Sequence, residues 1–90
     1  MNGGALVLDV QAPLLDHLNT RVVVPLLPET KAPPPIRDLN PVFEIDGLPH
    51  VMGTQALAAV QTRELKKTVC SLSDRQDEIT KALDLLFKGF

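Results

Sequence analysis

Ninety residues make one small domain, and a chain of that size buries only about 60–65% of the surface its unfolded form exposes, so a second copy would add to its stability. Nine basic residues stand against eleven acidic ones, with three Phe and neither Tyr nor Trp. A protein that grips phosphate backbones gathers Lys and Arg and stacks bases on aromatic rings; here only Lys66 and Lys67 are adjacent, so direct nucleic-acid binding is disfavoured.

After a lead-in, Met1-Asn-Gly-Gly, with little to pack, Ala5 to Gln11 reads as a strand with Leu6, Leu8 and Val10 on one face. Pro13 to Asp16 breaks it and turns. Arg21 to Leu26 is a second strand, apolar on both faces, as a central strand or one at a subunit interface would be. Pro25 removes one ladder donor, which suits a bulge, a strand end or an edge. Pro28 to Pro35 holds four prolines in eight residues and excludes helix and sheet pairing. A plain extended loop is favoured there over a PxxP ligand for another domain.

Pro41 to Ile45, then Asp46-Gly47, then Leu48 to Met52 is a hairpin signal, because Asp-Gly supplies the positive φ of a tight two-residue turn. Gln55 to Val60 is a short apolar piece, and Thr62 to Cys70 runs polar into the last element. From Ser73 the chain reads as a helix. Ser73 and Gln76 fit a capping box, and Asp74, Asp77 and Glu78 put negative charge where the helix dipole favours it. Ile79, Ala82, Leu83, Leu86 and Phe87 form one apolar stripe suited to a core, and Gly89 stops the helix. Leu85 falls off that stripe by about 120° at ~100° per residue. Neither it nor the terminal Phe90 is explained by core packing, and an apolar tip past a helix end suits a partner. Strands first and one helix last, with no alternating strand–helix units, predict a mainly β fold with one C-terminal α-helix: a small antiparallel sheet or partly open barrel.

Chemistry is not visible in the pattern. His17 and His50 match no metal motif, and Cys70 is isolated from both, so no metal or other cofactor is implied. The lone cysteine forms no internal disulfide, fits a reducing cytosol and reads as a small, partly buried side chain. There is no Gly-rich phosphate loop. No apolar run reaches the length of a membrane span and no basic-then-apolar leader is present, so a cytoplasmic, non-membrane protein is expected. The weight falls on binding, not catalysis.

Several segments, in order, resemble the CcdB family of toxins from bacterial toxin–antitoxin modules: Leu8-Asp9-Val10-Gln11, Arg21 to Leu26, Leu39-Asn40-Pro41-Val42, and Met52 with Thr54. The most specific is Leu72-Ser73-x-Arg75 followed by Ile79, Ala82 and Leu86-Phe87-Lys88-Gly89-Phe90. The resemblance spans nearly the whole of residues 1–90 as one domain, lacking the family's first strand, some ten residues ahead of Ala5. It implies a sheet of about five strands related to the MazF and Kid barrels, a homodimer, and no catalytic residues. It implies binding to the A subunit of DNA gyrase, trapping of the cleaved-DNA complex, and neutralisation by a CcdA-like antitoxin whose disordered tail wraps the dimer. The gyrase-contacting positions fall on Leu14, Leu15, Asp84, Phe87, Lys88, Gly89 and Phe90, where Lys88 and Phe90 replace the family's usual Trp and aliphatic residue. Two alternatives are a degenerate toxin that binds antitoxin without poisoning gyrase and a MazF-like ribonuclease.

Overall fold

The computed structural model describes residues 6–11, 17–64, 69–70 and 72–89, without the side chains of Glu64, Val69, Cys70 and Ser73. The sequence expectations for Leu14, Leu15 and Phe90, for the turn at Pro13 and for the burial of Cys70 lie outside those residues. The elements are β1 (Leu6–Asp9), β2 (Thr20–Pro28), β3 (Val42–Ile45), β4 (Leu48–Met52), β5 (Ala58–Gln61), β6 (Val69–Cys70) and α1 (Gln76–Lys88). The fold is mainly β with one C-terminal helix: a curled, largely antiparallel sheet, open along one side.

The apolar strand β2 is central, as its double-sided pattern implies. On one side it pairs antiparallel with β1, placing Leu6 opposite Leu26 and Leu8 opposite Val24. On the other side it is shared: Leu26 to Pro28 pair with β4, and Thr20 to Val23 pair with β5. A single 3-10 turn, Thr54–Ala56, crosses the gap between those two partners. Pro25 sits at that gap. The Gly53 N–H donates to the Pro25 carbonyl at 2.8 Å, and a strand residue directs its N–H and C=O to the same side. The missing donor of Pro25 therefore faces the place where the ladder is already broken, so an interior position is tolerated.

β3 and β4 form the hairpin, closed by Asp46 and Gly47 at φ 54° and 80°. β2 runs on through Pro28, which pairs with His50, into a 3-10 turn, Glu29–Lys31, so the expected exclusion of sheet pairing fails at Pro28, that of helix fails at Glu29–Lys31, and both hold from Ala32 onward. One strand departs from the antiparallel expectation: β6 pairs parallel to β1, with Val7 opposite Val69.

The core is made by the even-numbered face of β1 and β2 with α1. Leu8, Val24, Leu26, Phe43, Met52, Ile79 and Ala82 are buried together, and Leu6, Val10, Ile45, Leu57, Leu72 and Leu83 pack around them. Two polar side chains are buried beside this core, Asn40 and Thr54. The Asn40 amide donates to the Met52 carbonyl at 2.9 Å and its oxygen accepts from the Ile36 N–H at 3.1 Å. The Thr54 hydroxyl donates to the Leu39 carbonyl at 2.5 Å. Together they tie the turn before β3 to the corner after β4.

The opposite face of the sheet is also apolar. Val42, Val51 and Leu27 stand side by side across β3, β4 and β2, and Val7 stands opposite Pro25. Val23 and Val51 are only 5% and 4% exposed there, outside the main core. The patch ends at an ion pair between Arg21 and Asp9, whose Nε–Oδ2 distance is 2.8 Å.

Candidate functional site

The candidate surface is the outer side and C-terminal end of α1. The helix does not begin at the expected capping box: its N-cap falls on Arg75, with no side-chain cap hydrogen bond, after a 3-10 turn over Ser73–Arg75. The acidic first turn is present, with Asp77 and Glu78. Arg75 instead holds this end in place. Its guanidinium carbon lies 5.0 Å from the centroid of the Phe43 ring, and its Nε and Nη2 donate to the two Glu78 carboxylate oxygens at 2.5 and 3.0 Å. That fork holds the Glu78 carboxyl below the usual carboxylate range, chiefly through the hydrogen bond from Arg75, and raises the Arg75 guanidinium in return.

Only Ile79 and Ala82 of α1 are buried. At ~100° per residue the Phe87 side chain leaves the helix about 110° from the line midway between them, and Asp84 and Lys88 leave farther round still. The reading of Phe87 as part of the core stripe is therefore corrected: it is 69% exposed, the most exposed large apolar side chain among the described residues. Leu85 and Leu86 are both half-buried, so Leu85 is less of an outlier than the wheel suggests. Gly89 ends the helix in the left-handed region at φ 81°, and its N–H donates to the Leu85 carbonyl at 2.9 Å.

Of the seven site residues expected from the resemblance, the structure brings Asp84, Phe87, Lys88 and Gly89 together on one exposed helix end. Leu14, Leu15 and Phe90 lie outside the described residues. The Asp84 and Lys88 side chains make no hydrogen bond or ion pair among the described residues, so both charges face solvent. Such a surface offers an aromatic anchor between an acid and a base. Sequence reasoning did not find the role of Arg75, although it lay in the most specific matching segment; its partner Phe43 is 32 residues away in the chain.

Elsewhere, an open cleft of about 560 Å³ is lined by Asn19, Thr20, Gln61, Thr62 and Arg63 at the start of β2. His50 contacts the Leu48 carbonyl through Nδ1 at 2.9 Å. Among the described residues no group of three or more His, Cys, Asp or Glu could hold a metal ion. No helix among them is long and apolar enough to cross a membrane.

A sequence model of the CcdB protein family matches residues 2–89 of the 90-residue chain. The match takes in every strand, the buried Asn40 and Thr54 and the exposed end of α1. The chain belongs to the CcdB family, the toxins of bacterial toxin–antitoxin modules.

Proposed function

We propose that this chain is the cytoplasmic toxin of a type II toxin–antitoxin pair that binds the A subunit of DNA gyrase and traps its cleaved-DNA complex, acting by binding and without chemistry of its own. The observation that carries the reading is Phe87. A large aromatic ring stands 69% exposed beside the charges of Asp84 and Lys88, which have no partner among the described residues, at the helix end where the resemblance leads us to expect gyrase contacts. A small domain gains nothing for its own stability from that placement, whereas a partner pocket closing over the ring desolvates it. Leu14, Leu15 and Phe90 complete the proposed contact set. The proposed partners are the gyrase A subunit, a second copy of the chain, and a CcdA-like antitoxin with a disordered tail.

Two assays run side by side test this: gyrase-linked cleavage of plasmid DNA and cleavage of RNA. The expected result is gyrase-dependent DNA cleavage and intact RNA. Phe87→Ala should weaken binding to the gyrase A subunit by about 30-fold, the effect of losing an anchor worth about 2 kcal/mol. Deleting Lys88-Gly89-Phe90 should abolish poisoning while removing the helix-end backbone bonds donated by Lys88 and Gly89, the latter to the Leu85 carbonyl, a loss of about 1–2 kcal/mol of stability. If wild type binds antitoxin but produces no gyrase-linked cleavage, the degenerate-toxin reading replaces this one. RNA cleavage without gyrase would establish the ribonuclease.

A further inference from the structure

The exposed end of α1 is only as well placed as the helix that carries it, and that helix has few attachments. Its buried residues, Ile79 and Ala82, lie three positions apart near the middle, with Leu83 half-buried beside them. Beyond Leu83, Leu85 and Leu86 are half-buried but lie outside the main core cluster, and no α1 side chain there makes a hydrogen bond or ion pair among the described residues. Midway, Lys81 and Asp38 are 3.6 Å apart, and both are well exposed, so that pair holds little. The first turn is different. There Arg75 lies over the ring of Phe43, a residue almost wholly buried in the edge strand β3, and forks onto Glu78 of the helix itself.

We infer that Arg75 is a positioning residue for the partner-binding face: by joining the first turn of α1 to β3 it sets the direction of the helix and so the place of Phe87 at the far end. The inference rests on the proposed role of that face. The geometry is that of a beam on a short support. Arg75 lies about 6 Å before Ile79 and Phe87 about 8 Å beyond Ala82, at ~1.5 Å per residue. A tilt of about 10° about the buried pair therefore moves the Phe87 backbone by more than ~1 Å. The cation–ring contact resists that tilt because it weakens as the guanidinium leaves the ring face. The fork onto Glu78 lies within the helix start itself; it orients the planar guanidinium on the first turn, and the contact with Phe43 alone reaches β3. Neither contact touches the residues proposed to meet gyrase.

A residue that only stabilised the fold would change the melting temperature and nothing else once the protein is folded. Two measurements on the full chain separate that role from positioning. The first is the direction of α1 relative to β1 to β4, from backbone residual dipolar couplings of wild type, Arg75→Lys and Arg75→Met well below their melting temperatures. The expected result is unchanged sheet couplings with a displaced α1 axis in Arg75→Met, and a smaller displacement in Arg75→Lys, which keeps the cation and loses the fork. The second is a double-mutant cycle with Phe87→Ala, read as affinity for the gyrase A subunit. The roughly 30-fold effect of Phe87→Ala in wild type should shrink to a few-fold in the Arg75→Met background, because a displaced ring no longer fills its pocket. An unmoved α1 axis, or a Phe87→Ala effect as large with Met at position 75 as with Arg, overturns the inference. Should Arg75→Met fail to fold, Arg75→Lys carries both readouts. Should wild type not bind the gyrase A subunit, the proposed partner falls, and the couplings alone decide the role of Arg75.

Discussion

Asn40 and Thr54 explain two of the segments that carried the family resemblance. Leu39 to Val42 and Met52 with Thr54 lie a dozen residues apart in the chain and are joined by the bonds of Asn40 to Met52 and of Thr54 to Leu39. The residue types were legible in the sequence; their purpose was not, because it exists only once both loops meet. Asn40→Ala should destabilise the protein by about 1–3 kcal/mol, since it leaves the buried Met52 carbonyl without this donor and removes the oxygen that accepts from the Ile36 N–H. Urea unfolding measures this, and a loss of less than about 0.5 kcal/mol would show the amide to be dispensable. Glu78 gives a pH-dependent counterpart. Its native pKa is depressed by Arg75, so the unfolded chain takes up the proton first as pH falls. The stabilisation is complete above the unfolded carboxyl value of about 4.3 and is lost as pH drops through the lower native value. Glu78→Gln should therefore flatten part of the acid limb of melting temperature against pH below about 4.3, with little change near pH 7, where an exposed pair counts for little.

At the level of elements, the strands and the hairpin were readable because their signals are local: alternation along β1, Asp46-Gly47 between two apolar runs. The parallel strand β6 was not, because a two-residue strand has no periodicity of its own and exists through its pairing with β1. The misplaced Phe87 has a geometric cause. Five apolar positions from Ile79 to Phe87 cover an arc of about 140° at ~100° per residue, and the core took only the edge marked by Ile79 and Ala82. The interruption of β2 at Pro25 also depends on a neighbour. A Cβ at Gly53 would stand 3.0 Å from Pro25 Cγ, a ring atom that cannot rotate aside, and 3.4 Å from the Pro25 carbonyl oxygen. Gly53→Ala should thus destabilise the corner by about 1–3 kcal/mol through overpacking, and Pro25→Ala in the same chain should recover part of the loss. Additive effects in chemical denaturation would exclude that contact as the cause. Gly47→Ala should cost about 1 kcal/mol for another reason: nothing lies within 4 Å of its Cβ, and the strain is that of φ 80° alone.

For the whole molecule, the second apolar face of the sheet is what the core leaves unexplained. Val42, Val51 and Leu27 run across three strands and continue toward Pro25 and Val23, ending at the Arg21–Asp9 pair. A sheet with one solvated face ordinarily alternates apolar with polar along each strand; β2 does not. The proposed homodimer would cover the part of this face that meets solvent, Leu27 and Val42, and a two-fold arrangement would bring the same residues of each copy together. Leu27→Glu places a charge at the partly exposed margin of the patch and should weaken self-association at least tenfold, about 1.4 kcal/mol. Its effect on the isolated fold should stay small, because Leu27 already meets solvent. Leu48→Glu is the matched control. Leu48 is 63% exposed and lies in β4 on the same side as Met52, opposite to Val51, so it should leave association unchanged. Sedimentation velocity across a range of micromolar concentrations reads all three proteins. A wild type that remains monomeric throughout refutes the dimer, and dissociation by Leu48→Glu in place of Leu27→Glu moves the interface to the other face.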